Sequence, residues 1–499
     1  MAYPGIRGGR AARWAAGLAL CGAVAGCAVN RPLDAGVAAA PAYRDATLAG
    51  STDLGRNSEE ILVILALSGG GARAAAFGFG VLEALSAASI RPDASAPPRS
   101  VLAEVDLISA NSGGAFVAAY YAVHREAMFR ADAGGQTPFE RDFLKRRLSA
   151  ELLASVMMNL GRINRGEASR TDVAAEHFGA TLFGGRTFAD LARQGRPYLV
   201  INAHDTTKRA RFEFTQEQFD LICSDLGSVP LARAVVASSA VHGVFTPLRL
   251  RNHARAHCPP EPAWIAAALR GEGDPASVVD SPSARRSRAL LARWYRDKLP
   301  DGQKAPPETR FFVHLADGAA ADNLGLRAPI LALASRDSAF GYAEKIRVGR
   351  IKRVLLIAVN AATGPDPMRD ADEGGPSALQ TMRDAADGLI RTVSDATLRE
   401  AQLVLAQLRA GAARNGGMPE VYGPVVIDFD AVADERQRRC FKRLPTTFDL
   451  PAADVDALRE AGRALLAAAP EFRRFLAAQN GAEARLAALP SSVRFCAGP

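Results

Sequence analysis

The sequence predicts an α/β fold in which helices cover both faces of a mostly parallel central sheet. Strand-like apolar runs alternate with helical patterns along most of the chain, which is typical of parallel sheets. The run Ile61–Leu67 is continuously apolar, as expected of a strand buried on both faces. The chain has 499 residues, of which 48% are hydrophobic and 23% charged, so it can bury one large core or two modest ones. This composition excludes a disordered tail, a collagen and a small disulfide scaffold.

Residues 1–26 are predicted to be an export signal. They begin with a basic region and continue with the apolar run Trp14–Gly26, which is too short for a stable membrane span. The basic region contains three arginines, Arg7, Arg10 and Arg13. Without them the net charge falls from +8 to +5, and so diffuse a charge suits an anionic membrane surface at least as well as nucleic acid.

The end of this leader resembles the lipobox of bacterial lipoproteins, in which a cysteine is acylated and becomes the first mature residue. The matching stretch is Val24-Ala25-Gly26-Cys27, and Ala28 follows it. The resemblance implies a lipid anchor on Cys27 in the bacterial cell envelope, and Ala28 implies sorting to the outer membrane, facing the periplasm. An ordinary signal peptide in which Cys27 is incidental is the alternative. Residues 27–57, rich in alanine and small polar residues, are predicted to form a flexible tether.

Cysteine usage agrees with an oxidising compartment. Beyond the leader and Cys27, four cysteines remain: Cys223, Cys258, Cys440 and Cys496. Three pairings are possible, and we expect Cys223–Cys258 and Cys440–Cys496 because each pair lies within one region of the sequence. Four free buried thiols are the alternative. The chain has no CxxC motif and its histidines are scattered, so no metal site is predicted.

The folded body is predicted to begin at residue 58. After Ile61–Leu67, the strand candidates are Val105–Ile108, Tyr198–Ala203, Arg211–Phe214, Phe245–Leu250, Phe311–Ala316, Arg353–Val359 and Val425–Phe429. A long helical pattern covers Ala378–Arg409.

Two segments interrupt this alternation. Residues 139–186 are helical and rich in leucine and arginine, whereas residues 259–310 are rich in proline and charge. The second segment contains Trp264 and Trp294, and Trp294 lies in a basic amphipathic stretch. Such a stretch suits either the surface of a membrane or a solvated helix whose aromatic side chain packs inward.

The first motif with chemical potential is Ser68-Gly69-Gly70-Gly71-Ala72-Arg73, which follows a buried strand and opens a helix. Consecutive glycines expose backbone amides, and a helix N-terminus adds a positive field, so the loop suits an anion. The spacings GxxxxGK[ST] and GxGxxG are not present in this loop, so the sequence favours a transient oxyanion over a nucleotide. Arg73 either orients the loop, attracts a phosphodiester or is a plain surface arginine.

The second motif is Ala110-Asn111-Ser112-Gly113-Gly114, again between a strand and a helix. A nucleophile at such an elbow needs small residues two before and two after it, because the turn is tight. Ala110 and Gly114 meet that need. A serine flanked by glycines is also a common helix cap, and this is the alternative for Ser112.

A serine nucleophile requires a base. Asp317 follows the predicted strand Phe311–Ala316, and open α/β sheets gather their sites at the carboxyl ends of strands. His314 lies three residues earlier, so on a strand it points to the opposite face and is interpreted as structural. A Ser–His esterase that uses His314 or His242 remains an alternative. Asn323 is a candidate to support Asp317.

Together these motifs resemble the patatin-like phospholipases, a family that uses a Ser–Asp dyad. The resemblance consists of Gly69-Gly70-Gly71-Ala72-Arg73 as the oxyanion loop, the Ser112 elbow, and Asp317-Gly318-Ala319 as the DG[GA] motif, in the order of the family. Ala110 replaces the first elbow glycine, and Val241-His242 stands where members often carry Phe-Pro. The first departure is mild because alanine is small, while the second leaves the local shape of the pocket open.

The resemblance implies a three-layer α/β/α fold. It implies a catalytic domain over residues 58–360, with residues 259–310 as a possible lid or insertion, and a mainly helical extension over residues 361–499. It also implies a lipid acyl hydrolase that cleaves fatty acyl esters of membrane phospholipid or a similar lipid. The dyad and the oxyanion loop call for no cofactor. The alternative is a catalytically silent, lipid-binding envelope lipoprotein that keeps the fold.

Overall fold

The structure is a computed structural model, and it describes most of the chain between Asn30 and Gln479. The described residues are 30–33, 57–92, 97–241, 245–254, 263–270, 281–295, 312–334, 342–364, 375–415 and 419–479. The predicted export signal, Cys27 and most of the predicted tether lie outside them. The Arg31–Pro32 stretch of the predicted flexible tether is described, and it forms a short antiparallel pair with Ser224–Asp225. This part of the tether is therefore held against the body.

The main sheet has eight strands. They are β1 (Ile61–Leu67), β2 (Val105–Ala110), β3 (Tyr198–Asp205), β4 (Ala210–Glu213), β5 (Leu248–Arg251), β6 (Phe312–Asp317), β7 (Arg353–Asn360) and β8 (Glu420–Asp428). Their order is β8-β7-β1-β2-β3-β6-β5, with β4 paired to β3. The neighbours from β8 to β3 are parallel, whereas β4, β6 and β5 add antiparallel pairs at the other side. The predicted mixed α/β fold with a mostly parallel central sheet is confirmed.

Helices surround this sheet. They are α1 (Gly71–Ala87), α2 (Ser112–His124), α3 (Leu148–Met158), α4 (Leu160–Asn164), α5 (Arg170–Thr181), α6 (Phe188–Gln194), α7 (Gln216–Asp220), α8 (Leu231–Ser238), α9 (Ala263–Arg270), α10 (Pro282–Tyr295), α11 (Ala319–Asp322), α12 (Arg327–Ala334), α13 (Ala343–Arg347), α14 (Ala378–Asn415), α15 (Glu435–Arg443), α16 (Ala452–Ala468) and α17 (Pro470–Ala478). Within the described residues, no helix combines the length and the hydrophobicity that crossing a bilayer would require.

The continuous apolar pattern of β1 is explained by helices on both sides of it. Val63 and Leu65 join a core that includes α1, α2, α8 and α16, whereas Leu62 and Ile64 join a second core with α12 and α14. Successive side chains of a strand point to opposite faces, so a strand between two helical layers must be apolar at every position. All seven residues of β1 are buried.

The chain after residue 360 is part of this architecture. Its strand β8 is the outermost strand of the sheet beside β7 and runs parallel to it, so the predicted, mainly helical extension also contributes a strand to the central sheet. Helix α16 packs along α1, and the Arg459 Nε donates to the Glu83 carboxylate at 2.6 Å. The extension therefore shares the core of the catalytic domain.

The described parts of residues 259–310 form α9 and α10. The side chains of Trp264 and Tyr295 are 5% and 0% exposed, and the Tyr295 hydroxyl donates to Asp205 at 2.8 Å. The Arg288 guanidinium lies 4.5 Å from the centre of the Trp264 ring, and Trp294 packs against the core. These aromatic side chains pack inward, so the interpretation in which they lie on a membrane is wrong.

The two described cysteines, Cys223 and Cys440, are both disulfide-bonded. Cys258 and Cys496 lie outside the described residues, so the pairing remains a prediction.

Candidate active site

The glycine-rich loop and the Ser112 elbow lie side by side at the end of the sheet where the parallel strands β1 and β2 finish. Leu67 at the end of β1 pairs with Ala110 at the end of β2, so the residues two positions further on, Gly69 and Ser112, stand at the same level. A Cβ atom on Gly69 would lie 3.2 Å from the Cβ atom of Ser112. The register of two parallel strands thus brings the two motifs into contact.

Asp317 reaches the same level from the opposite direction. In β3, Ile201 pairs with Ala110, and Ala203, two residues later, pairs with Asp317. Strand β6 is antiparallel to β3. It begins past the carboxyl end of β3 and runs back along it, so that its last residue, Asp317, pairs with Ala203. We expected Asp317 at the carboxyl end of a strand, and it is, but that strand runs against the parallel strands that carry Ser112.

Ser112 is the first residue of α2 and adopts a φ of +44°. A positive φ is uncommon for a residue other than glycine, and such strain clusters at functional sites. The Ser112 amide donates to the Ser238 Oγ at 2.8 Å, and the serine is 5% exposed. This geometry is that of a nucleophile elbow between a buried strand and a helix.

Gly113 allows the elbow to touch the glycine-rich loop. A Cβ atom at this position would lie 2.0 Å from the carbonyl oxygen of Gly71, a distance that no packed structure accommodates. Ala110, where the family more often has glycine, is fully buried at the end of β2. Its small side chain fits there, so this departure is compatible with the elbow.

The loop presents two amides to the site. The Gly69 amide donates to the Asn323 carbonyl at 3.2 Å, and the Ala72 amide donates to the Thr447 carbonyl at 2.7 Å. Among the described residues, the amides of Gly70 and Gly71 have no hydrogen-bond partner. Because α1 begins at Gly71, its first amides have no acceptor within the helix and lie in its positive field. Of the predicted oxyanion residues, Gly70 and Gly71 therefore have amides free for a ligand, whereas the Gly69 amide is occupied.

Arg73 holds the loop from behind. Its side chain is 2% exposed, so the interpretation as a surface arginine is wrong. The Arg73 Nε donates to the Ala361 carbonyl at 2.9 Å, one Nη donates to the Leu444 carbonyl, and the other donates to the Thr446 Oγ1 at 3.2 Å. Burial lowers the pKa of Arg73 to about 10. These contacts correspond to the role of orienting the loop, since the donors bind protein oxygens.

Asp317 is partly exposed and held by short-range hydrogen bonds. Its Oδ1 accepts from the Ala319 amide at 2.9 Å, and its own amide donates to the Ala240 carbonyl at 3.1 Å. The next amide, of Gly318, donates to the Ser238 carbonyl at 3.3 Å. Ser238 thus contacts both motifs, through its hydroxyl to Ser112 and through its carbonyl to Gly318.

Asn111 and Asn323 connect the elbow with the chain that follows Asp317. The Asn111 Nδ2 donates to the carbonyls of Asp322 and Asn323. A Cβ atom on Gly69 would lie 2.8 Å from the Asn323 Oδ1. Asn323 therefore contacts the glycine-rich loop through both its backbone and its side chain.

Three parts of the site were not predicted from the sequence. They are Ser238, the hydrogen bonds from Asn111 to the chain after Asp317, and the segment 444–447. Ser238 lies in a stretch rich in small residues with no local pattern that marks one serine above its neighbour Ser239. The segment 444–447 is more than 100 residues from Asp317 along the chain, so only the tertiary structure brings it to the loop.

Of the two histidines considered as alternative bases, His314 is described and does not join the site. His314 lies on β6, where alternation places its side chain on the face opposite to that of Asp317. Burial lowers the pKa of His314, and the charges that act on it are those of Asp205, Arg249 and Lys208. His242 lies outside the described residues.

Within the described part of the chain, no group of three or more histidine, cysteine, aspartate or glutamate side chains is arranged to hold a metal ion. The site is formed instead by a serine, a carboxylate and backbone amides.

The site combines a serine at a strand-to-helix elbow, two unpaired amides beside it and a carboxylate at the same level of the sheet. These are the groups that acyl transfer requires, so the fold and the site are those of a three-layer α/β protein with a candidate acyl-transfer site. The patatin-like phospholipase family model matches residues 65–330, which is more than half of the chain. The chain belongs to this family. The family implies a lipid acyl hydrolase of the serine type. None of the curated proteins compared with this chain matches it.

Proposed function

We propose that this protein hydrolyses fatty acyl esters of phospholipids, with Ser112 as nucleophile and Asp317 as general base. The observation that carries the proposal is the strand register. The pairing of β1 with β2, β2 with β3 and β3 with β6 places Gly69, Ser112 and Asp317 at the same height along the sheet. The unpaired amides of Gly70 and Gly71 next to the elbow supply the electrostatic component. Membership of the family supports the substrate class.

The reaction follows from these groups. The Ser112 hydroxyl oxygen attacks the ester carbonyl carbon while the Asp317 carboxylate accepts the hydroxyl proton. The carbonyl oxygen becomes an oxyanion that accepts hydrogen bonds from the amides of Gly70 and Gly71. The tetrahedral intermediate collapses, the bond to the lysolipid oxygen breaks, and Asp317 returns the proton to that oxygen.

Water completes the cycle. Asp317 removes a proton from a water molecule, whose oxygen attacks the acyl-serine carbonyl, and the second tetrahedral intermediate forms in the same amide pair. As it collapses, the bond between the acyl carbon and the Ser112 Oγ breaks, Asp317 returns the proton to this oxygen, and the fatty acid is released. An aspartate has a reference pKa near 3.9 and is a weak base, so exclusion of water by a bound acyl chain favours proton transfer to it.

Hydrolysis of phosphatidylglycerol in mixed detergent micelles, followed by release of fatty acid, tests the proposal. Ser112→Ala and Asp317→Asn should each lower kcat by about a thousandfold or more. Matched controls are Ser86→Ala, near the far end of α1, and Asp395→Asn, exposed on α14, and both should retain activity. Full activity in both site variants would refute the proposal. Vesicle binding without any hydrolysis by the folded parent chain would indicate the catalytically silent alternative.

We propose further that Cys27 carries a lipid anchor and that residues 27–57 tether the catalytic body to the outer membrane, facing the periplasm. The resemblance of Val24-Ala25-Gly26-Cys27 to a lipobox supports the anchor, and a membrane-resident substrate gives it a purpose. Intact mass of the N-terminal peptide from membrane fractions of a bacterial host should show an acylated Cys27. An unmodified Cys27 in the processed chain would contradict the anchor, and Cys27→Ala should release the protein from the membrane fraction.

A further inference from the structure

Helices α3 and α4 expose four large apolar side chains. The exposed fractions are 63% for Leu153, 58% for Met157, 78% for Met158 and 39% for Leu160. Leu153, Met157 and Leu160 are spaced i, i+4 and i+7, so they form one stripe along the two short helices, with Met158 beside it. We call these four residues the apolar ridge. Exposed patches of this kind mark interaction sites.

Basic residues dominate the chain on both sides of the ridge. Residues 141–170 contain seven basic and three acidic side chains. The basic ones are Arg141, Lys145, Arg146, Arg147, Arg162, Arg165 and Arg170. Five of the seven form ion pairs with nearby carboxylates. Arg147 and Arg170 are exposed and have no ion pair among the described residues, so they leave one free positive charge on each side of the ridge. Apolar side chains flanked by positive charge match the boundary of an anionic bilayer, where acyl chains meet negative headgroups.

Hydrogen bonds link the helix that carries most of the ridge to the loop beside the site. The Ser149 amide, at the start of α3, donates to the Asp449 carboxylate at 3.2 Å, and the Asp449 carbonyl accepts from the Thr447 Oγ1 at 2.7 Å. The Thr447 carbonyl in turn accepts from the first turn of α1, next to the oxyanion loop. Helix α5, which packs on α3, places Phe178 4.8 Å from the Phe116 ring of α2.

A further exposed apolar residue, outside the ridge, lies close to the site itself. Val241 is 41% exposed, and its neighbour Ala240 accepts the amide of Asp317. The Val241 carbonyl accepts from the Phe245 amide at 3.1 Å, and the Thr171 hydroxyl at the start of α5 donates to the carbonyl of Thr246. These contacts connect Val241 with α5, the helix that packs on α3.

We propose that the apolar ridge inserts into the surface of an anionic phospholipid bilayer and turns the Ser112 edge of the sheet toward the membrane. This inference rests on the proposed function, because it assigns the ridge to delivery of a phospholipid substrate. It goes beyond the lipid anchor, since it assigns the body a contact of its own with the bilayer, at helices remote in sequence from Cys27.

An environment-sensitive fluorophore on a cysteine introduced at the ridge tests the contact in the full chain. Met157→Cys, labelled and mixed with vesicles of phosphatidylglycerol and phosphatidylcholine, should shift its emission to shorter wavelength. Pure phosphatidylcholine vesicles, or high salt, should reduce the shift. Val348→Cys is the matched control. Val348 is 48% exposed and precedes β7, so it lies at the end of the sheet where the parallel strands begin, away from Ser112. Its fluorophore should not respond to vesicles. The unsubstituted chain gives the background of labelling.

The contradicting outcomes are specific. An unshifted Met157→Cys fluorophore on vesicles would overturn the proposal, as would equal shifts at positions 157 and 348. A shift that grows with protein concentration in the absence of lipid would assign the ridge to contact between two copies of the chain and would also overturn it.

Activity separates this proposal from the proposed function. The double variant Leu153→Glu/Met157→Glu should lose about tenfold or more of the rate on anionic vesicles, because two charges replace side chains that enter the bilayer. Its rate on a short-chain ester dissolved in water should equal that of the parent, and Val348→Glu should match the parent in both assays. Equal loss on both substrates would contradict the ridge proposal. Absence of Ser112-dependent ester hydrolysis in the parent chain would instead contradict the proposed function.

Discussion

The nucleophile elbow and the oxyanion loop are two versions of the same strand-turn-helix unit, but they are held in place by different parts of the chain. The elbow is fixed from within residues 58–360, by Ser238 and by the carbonyls that follow Asp317. The oxyanion loop is fixed largely from outside that range. The donors of Arg73 reach oxygens at 361, 444 and 446, and the Ala72 amide reaches the carbonyl of residue 447.

This difference assigns a task to the chain after residue 360. The hydrogen bonds that position the nucleophile come from within residues 58–360, whereas the direction of the oxyanion amides depends on the extension packed against α1. A change in the extension should therefore leave the serine in place and reduce stabilisation of the transition state. A change at the contact between the nucleophile elbow and the oxyanion loop should disturb both the position of the serine and the direction of the amides.

The largest effect is expected at that contact. Gly113→Ala would place a Cβ atom 2.0 Å from the Gly71 carbonyl oxygen, so one unit must move away from the other. We expect a loss of about 2–4 kcal/mol in the free energy of unfolding and almost complete loss of ester hydrolysis, measured by urea denaturation and initial rates. Gly388→Ala, on the exposed face of α14 with no atom within 4 Å of the added Cβ, should be neutral or slightly stabilising. Full activity in Gly113→Ala would refute the close contact.

The next effect should come from the anchor of the oxyanion loop. Arg73→Met removes the donors to Ala361, Leu444 and Thr446, so we expect kcat to fall about a hundredfold with a smaller change in KM. Arg439→Met, which removes an exposed i,i+4 ion pair on α15, is the control and should retain activity. An Arg73→Met variant with parental kcat would show that the extension does not set the direction of the amides.

A smaller effect should follow from the anchor of the elbow. Ser238→Ala removes the acceptor of the Ser112 amide, and we expect kcat to fall about tenfold while KM changes little, because the hydroxyl positions the nucleophile and does not touch substrate. Ser239→Ala removes a neighbouring hydroxyl that bonds within its own helix and should have little effect. Equal losses in the two variants would contradict the specific role of Ser238.

The smallest effect should come from Thr446→Val, which removes one neutral acceptor from Arg73 while two carbonyl acceptors remain. A hydrogen bond of this kind contributes about 1 kcal/mol, so kcat should fall by no more than about fivefold. A loss as large as that of Arg73→Met would show that Thr446 acts in a further way.

The sequence predicted the parts of the site that are local and missed the parts that depend on distant contacts. The apolar run of β1 and the elbow at Ser112 each carry their signal within a few residues. The antiparallel direction of β6 has no local signal, because a half-buried strand has the same pattern in either direction. Asp317 was nevertheless predicted at the site edge, since β6 enters from beyond that edge and ends at the level of Ala203.

Two questions that the sequence left open have the same physical origin. Arg73 and the aromatic residues of α9 and α10 were open to interpretation as surface groups because arginine and tryptophan occur with both exposed and buried contacts. Their burial depends on partners far away in sequence, namely Leu444 for Arg73 and Asp205 for Tyr295. A strand such as β8, which follows a long helical pattern, likewise becomes part of the central sheet only through its pairing with β7.

The most direct test of the central claim is covalent labelling of the mature chain with a fluorophosphonate, followed by intact mass and peptide mapping. The nucleophile elbow, the carboxylate and the amide pair predict a single adduct on Ser112 that is lost in Ser112→Ala and strongly slowed in Asp317→Asn. Arg73→Met should label at an intermediate rate, because its serine remains in place. An adduct on another serine, or equal labelling of Ser112 in the parent and Asp317→Asn chains, would contradict the assignment of the dyad.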